Sequence, residues 1–230
     1  MKRLLSLAVS LFVCLSVYAE GYVINDIGIS VGLRTDGSAS FTEIWDVVAE
    51  RGTEWYLVKG NLGDIEISGF RVSENGVDFR NEGHWKVEAD RGAKAGKCGI
   101  LDKGSHLELC WGIGDYGHHV FTVHYDMSNV VKSLTDYDMM HIQLVSPGLS
   151  ARPEHVSVNI TAPVPLSVEN SRIWGFGYVG TADYDNGGGV LMESSERFRG
   201  ESSVISLMRF DKGIFSSESV RDCRFDTVLD

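Results

Sequence analysis

His155-Val156-Ser157-Val158-Asn159-Ile160-Thr161 alternates apolar Val156, Val158 and Ile160 with polar Ser157, Asn159 and Thr161. Successive side chains of a β-strand point to opposite faces, so this stretch is a half-buried strand, ended by Pro163. The same period recurs over Tyr22–Val31, Ser40–Val48, Trp55–Lys59, Asp64–Val72, His84–Ala89, His106–Trp111, His118–Asp126, Met139–Val145, Arg172–Val179 and Val204–Phe210. Between them stand turn formers: Thr35-Asp36-Gly37-Ser38, Glu74-Asn75-Gly76 and Asp185-Asn186-Gly187-Gly188-Gly189. No stretch sustains a helical stripe, and a short turn around Met127–Thr135 is the best helical candidate. Many short strands with regular turns predict an all-β fold, an antiparallel β-sandwich, immunoglobulin-like or related, with few short helices. Without a strand-helix rhythm, a doubly wound nucleotide fold is disfavoured.

Lys97–Asp126 is expected to form a three-strand meander. Pairing Leu101 with Leu107 across the turn Asp102-Lys103-Gly104-Ser105 sets Cys98 opposite Cys110. Continuing, Leu109 beside Phe121 and Leu107 beside Val123 gives one apolar face, with His106 and Glu108 near Thr122 and His124 on the other.

The amino end sets the compartment. Lys2 and Arg3 precede an apolar run from Leu4 to Val17, and Val17-Tyr18-Ala19 supplies a small residue for cleavage, which together read as a secretory signal peptide over residues 1–19. The run is shorter than the roughly 20 residues that cross a bilayer. Val13 stands where a lipoprotein signal ahead of Cys14 requires a small residue. Cleavage removes two of 21 basic and none of 32 acidic residues, leaving a formal charge of −13. That charge argues against a nucleic-acid partner and against adsorption to an anionic membrane. Residues 20–215 are expected to be the sandwich domain and 216–230 a polar C-terminal junction or tail.

Of the cysteines beyond the leader, Cys98 and Cys110 are expected to pair as a hairpin disulfide in an oxidising compartment, leaving Cys223 odd. The catalytic patterns are weak. Gly28-Ile29-Ser30-Val31-Gly32 spells a hydrolase nucleophile elbow but sits inside a strand pattern, where the required strand-to-helix turn is missing. His106, Glu108 and His124 lack the short spacings of a dedicated zinc site, and His118-His119 point to opposite faces of one strand. Asp183-Tyr184-Asp185-Asn186-Gly187 opens like a calcium loop, yet Gly187 takes a ligand position and Ser194 stands at the twelfth. With 32 acidic residues, a carboxylate pair for glycoside hydrolysis carries little signal. Trp45, Trp55, Trp85, Trp111 and Trp174 could make a sugar platform but usually pack in a sandwich core.

A wider set of segments carries a resemblance. Asp36-Gly37-Ser38, Phe41-Thr42-Glu43, Gly52-Thr53-Glu54-Trp55-Tyr56, Leu109-Cys110-Trp111-Gly112-Ile113-Gly114, Val120–Tyr125, Asp136-Tyr137-Asp138 and Arg172-Ile173-Trp174-Gly175-Phe176-Gly177 stand in the order shown by Domain of Unknown Function 2207. The chain resembles this N-terminal domain of predicted bacterial membrane proteins from about Tyr22 to Phe225. The resemblance implies an extracytoplasmic β-rich domain, usually followed by transmembrane helices, with no established activity and no defined site residues. Membrane anchoring would then come through sequence beyond Asp230.

The expectation is an exported, non-enzymatic interaction or sensing module at the bacterial cell envelope, periplasmic or extracellular. Its partner would be an envelope protein or a surface glycan. The alternative is a glycan-binding or glycan-hydrolysing domain. No catalytic, cofactor or metal residues are assigned. Glycine-rich loops let a backbone approach a ligand, so Asp115, Tyr116, Asp183 and Asp185 are the candidate binding positions.

Overall fold

The computed structural model describes residues 21–229, so the leader read over residues 1–19 lies outside the described residues. The strands in chain order are β1 (Tyr22–Leu33), β2 (Ala39–Ala49), β3 (Glu54–Gly60), β4 (Ile67–Glu74), β5 (Val77–Asp78) and β6 (Arg80–His84), then helix α1 (Arg91–Lys94). There follow β7 (Lys97–Asp102), β8 (His106–Gly112), β9 (Gly117–Met127), β10 (Val131–Ser133), β11 (Asp138–Val145), β12 (Pro153–Thr161), β13 (Ser171–Phe176), β14 (Gly180–Tyr184), β15 (Val190–Ser194), β16 (Val204–Phe210) and helix α2 (Asp226–Leu229). They make an all-β sandwich of three sheets. One has eight strands in the order β14-β15-β12-β1-β2-β9-β4-β5, and two have four, β3-β8-β7-β6 and β10-β11-β16-β13.

Alternation drives this arrangement. In β2, Ala39, Phe41, Glu43, Trp45, Val47 and Ala49 are buried, while Ser40, Thr42, Ile44, Asp46 and Val48 turn outward. β1 keeps the same inner face only because a bulge at Asn25 shifts its register between Ile24 and Asp26, so that Ile24, Ile27, Ile29 and Val31 all face in. Gly37, with φ of +82°, closes the β1–β2 turn, and Asp36 Oδ1 accepts from the Ser38 amide at 2.9 Å. Pairing is antiparallel except for β1 with β12 and β6 with β7, which are parallel and make the large sheet and the β3 sheet mixed.

Both small sheets cover the inner face of the large one. Trp45 on β2 meets Trp55 on β3 and Trp111 on β8 edge-on, with centroids 6.4 and 5.2 Å away. Met140, Ile142 and Leu144 of β11 join the same core. At the junction of the three sheets two charges are buried. Glu43 is 2% and Lys59 3% exposed, and they pair at 3.3 Å. Glu43 also accepts from Trp45 Nε1 at 2.8 Å and from the Tyr125 hydroxyl at 2.5 Å. Lys59 Nζ donates to the Leu144 carbonyl at 3.2 Å, which ties β3 to β11. Burial, reinforced by the Glu43 charge, pushes the Tyr125 hydroxyl well above the ordinary phenol range, so it remains a donor.

The expected meander is corrected in two respects. β8 pairs with β3 and β7, whereas β9 pairs with β2 and β4, so the chain changes sheets between them and His106 and Glu108 share no face with His124. The β7–β8 register also differs by one residue: Leu101 stands opposite Glu108, Cys98 opposite Trp111 and Gly99 opposite Cys110. A one-residue slip reverses every side chain's face, so Cys98 and Cys110 point to opposite sides, and both are free thiols. Burial raises the Cys98 thiol to about 11 and the Cys110 thiol further.

Elsewhere, the helical turn expected around Met127–Thr135 is instead strand β10, entered through Asn129 at φ of +53°. The strand expected over His84–Ala89 ends at His84, because Trp85 turns inward to donate to Glu54 at 2.6 Å and Asp90 caps α1. Residues 216–229 lie against the domain. Val220 bridges Ser133, and Phe225 is buried with Leu134, Met139 and Leu207.

Removing one member of a buried pair strands the other, so Glu43→Ala should lower unfolding stability by about 3–5 kcal/mol. The Glu43→Gln/Lys59→Met double variant should lose less. Equal losses from urea unfolding of the two proteins would contradict the ion pair. Alkylation of the native protein should label Cys223 and reach Cys98 and Cys110 only after unfolding; a linked Cys98–Cys110 peptide in a non-reduced digest would refute the observed register.

Candidate functional site

Two strand edges flank a cleft between the small sheets. Among the described residues, β3 has a strand neighbour only on its β8 side. β10 pairs with β11 only over Asp138–Met140, so the remainder of β11 has no strand on that side among the described residues. The bond from Lys59 to Leu144 joins the two edges. Away from that bond they enclose a cleft of about 440 Å³. Met127 at the end of β9 contributes to it from the large sheet, and Arg221 of the C-terminal segment from the other side.

The lining combines apolar and cationic chemistry. Leu62, Ile65, Val130, Met139, Ile142 and Ile205 supply the apolar wall, and Lys59, Lys132 and Arg221 supply charge, with Asn61, His141 and Gln143 as further polar groups. None of these described lining residues is a carboxylate, in a chain whose acidic side chains outnumber its basic ones by 32 to 21. The counter-ions lie outside the lining, Glu43 in the core and Asp64 half exposed at the surface. Glu43 faces Lys59 from β2, and Asp64 bonds Lys132. The Lys132 ammonium, followed by the Ser219 hydroxyl at 2.6 Å, holds the Asp64 carboxyl down at about 2. Arg221 donates its backbone amide to the Ser133 carbonyl at 2.9 Å, which fixes the base of a side chain with no ion pair among the described residues.

The four loop positions singled out in the sequence do not converge. Asp115 and Tyr116 lie beside Gly117, which pairs with Ala49 at the end of β2. Tyr116 donates to the Gly52 carbonyl at 3.1 Å, and the Arg91 guanidinium covers its ring at 4.4 Å. Asp183 is on β14 opposite Leu191, at the far edge of the large sheet. Asp185 Oδ1 accepts the Gly187 and Gly189 amides at 2.7 and 2.8 Å, so it caps its own turn. That turn follows from Val190 pairing with Ile160, at the opposite end of the sheet from Ala49. Ser30 lies within β1, paired with Thr42, and forms no elbow. Trp45, Trp55 and Trp111 are fully buried, Trp85 nearly so, and Trp174 stacks on Phe225 at 5.5 Å. Among the described residues no group of three His, Cys, Asp or Glu is placed to hold a metal ion, and no helix is long and apolar enough to cross a membrane.

The cleft residues went unremarked in the sequence, although a signal existed for one. Lys59 falls in the inward phase of β3, after Trp55 and Leu57, as Glu43 does in β2 between Phe41 and Trp45. Opposite charges in two inward phases mark a buried pair. For Arg221, beyond the last strand, no comparable periodicity exists.

The geometry is that of a β-sandwich domain with a preformed, cation-lined cleft where its sheets meet. The chain belongs to the family described as predicted membrane protein (DUF2207) N-terminal domain, which matches residues 23–195. No curated protein matches it. Among solved structures, native leukotriene A4 hydrolase from Saccharomyces cerevisiae is similar at 6% identity and a TM-score of 0.49, over 82% of this chain and 29% of that one. The yeast hydrolase in complex with bestatin gives 7% and 0.47, over 84% and 29%. An M1 zinc metallopeptidase from Deinococcus radiodurans gives 14% and 0.38, over 83% and 42%. The chain thus spans under a third of the length of the yeast structures.

The Asp64 carboxyl, held below its usual 3.8 at about 2, stabilises the folded state above 3.8, and that contribution disappears as pH falls through about 2. Asp64→Asn should therefore unfold at lower urea than the parent at neutral pH, with the gap closing across that acid window. A gap independent of pH would show that the Asp64–Lys132 tie is not its origin.

Proposed function

We propose that this domain is a non-enzymatic recognition module on the extracytoplasmic side of the cell envelope, taking its ligand in the cleft between β3 and β11. The observation that carries this reading is the lining itself. It presents an apolar wall and cations, and its described residues include no carboxylate, hydroxyl or thiol to serve as a nucleophile or a carboxylate acid–base pair. Its volume falls in the range of ligand pockets, roughly 300–1,000 Å³. The cleft is also preformed, because the Glu43–Lys59–Leu144 chain fixes the separation of its walls before any ligand arrives. Membership of a family described as a membrane protein's N-terminal domain supports an envelope location, periplasmic or cell-surface. The glycan reading has less support, because the tryptophans that would stack on sugars are spent in packing.

Gln143 lines the cleft half-buried on β11, so Gln143→Trp should fill it while leaving the sandwich intact. In a thermal-shift screen of envelope-derived small molecules and glycan fragments, ligands that stabilise the parent should lose that effect on Gln143→Trp. A ligand at about 100 times its Kd stabilises by about 2.7 kcal/mol, well within detection. Ligands that stabilise both proteins equally would move the site elsewhere, and glycans alone behaving so would favour the alternative.

A further inference from the structure

We infer that the cleft between β3 and β11 takes a small organic anion, a carboxylate or phosphate carried on an apolar body, with Arg221 as its principal charge partner. The inference rests on the reading of this cleft as the ligand site and adds the chemical class of what enters it. Three cations line a space that no described carboxylate lines, in an acidic protein. Two of them already have counter-ions, since Glu43 offsets Lys59 and Asp64 offsets Lys132. Counting these five charges leaves one net positive charge, and it resides on Arg221, which has no carboxylate partner among the described residues.

The placement of the counter-ions matters as much as their number. Glu43 is turned toward Trp45 and Tyr125, whose donors occupy both its oxygens, so it is fixed on the core side of Lys59. Asp64 is held by Lys132 and Ser219 outside the lining. Neither carboxylate lines the cleft, and with Lys59 and Lys132 each already paired, the Arg221 guanidinium is the charge that an entering anion meets uncompensated. A guanidinium binds carboxylate or phosphate through two parallel N–H donors, and such charge-assisted bonds strengthen where water is excluded. The apolar wall of Leu62, Ile65, Met139 and Ile142 would accept a hydrocarbon portion, which distinguishes this site from one for a bare inorganic ion.

The test uses the purified protein and three probes followed by 15N NMR and calorimetry: N-acetyl-leucine, its neutral amide N-acetyl-leucinamide, and inorganic phosphate. N-acetyl-leucine should shift the amides of β3 and β11 and bind at least about tenfold more tightly than the amide. Its affinity should fall with added salt. Arg221→Ala should remove about tenfold for the acid and nothing for the amide. Its side chain is exposed and its backbone bond to Ser133 is retained, so the fold is preserved. Phosphate competing with the acid would identify a phosphate-bearing source, and phosphate failing to compete a carboxylate one; both support the anion assignment. Equal binding of acid and amide, both blocked by Gln143→Trp, would overturn the anion assignment while leaving the cleft as the site. Shifts elsewhere on the surface, or no shift from any probe at millimolar concentration, would overturn both.

Discussion

A glutamate and a lysine buried against each other at the meeting point of three sheets are the constraint on which this structure turns. Desolvating either alone costs several kcal/mol, so both charges persist only because every strong partner is in place. Glu43 has the Lys59 ammonium, the Trp45 indole and the Tyr125 hydroxyl; Lys59 has Glu43 and the Leu144 carbonyl. Apolar residues of the same volume would fill the space with less directional preference. The polar set joins β2 and β9 of the large sheet to β3 of one small sheet and β11 of the other, and so fixes where the small sheets sit.

The cleft follows from that placement. Two small sheets lying side by side on one face leave two strand edges confronting each other, and unpaired edges ordinarily invite unwanted pairing. Here Lys59 ties the two edges together at Leu144, and what remains between them is a walled space. The same lysine that joins the sheets also contributes to the cleft, which couples stability to recognition. Asp64, Lys132 and Ser219 repeat the device on a smaller scale at the other end, where the C-terminal segment meets β10.

Much of the fold was legible because period-two alternation runs through β2 and β9, through β1 beyond its bulge and through β12 from Val156, and burial follows it there. Alternation defines a face; it does not define a neighbour. β8 and β9 both show an apolar phase, and only the structure reveals that those phases meet across a sandwich, with Trp111 against Phe121 at 5.9 Å, instead of lying side by side. The cysteine register failed for a related reason. The β7–β8 turn could close with either of two registers one residue apart, and matching Leu101 to Leu107 chose the one that the structure does not adopt. β14 and β15 were obscured by the glycines of their connecting turn, although Val190, Met192 and Ser194 alternate with Leu191 and Glu193. The cleft was largely illegible because it lies between sheets and draws Lys59, Lys132 and Arg221 from segments far apart in sequence.

The central claim is that the Glu43–Lys59–Leu144 chain holds the two small sheets in fixed relation on the large one. Peptide-resolved hydrogen exchange of Lys59→Met beside the parent protein tests it most directly. The account predicts faster exchange in the segments around Lys59–Leu62 and His141–Val145 together, with β1 and β12 in the large sheet unchanged. Uniform acceleration across all three sheets, or none in β11, would contradict it.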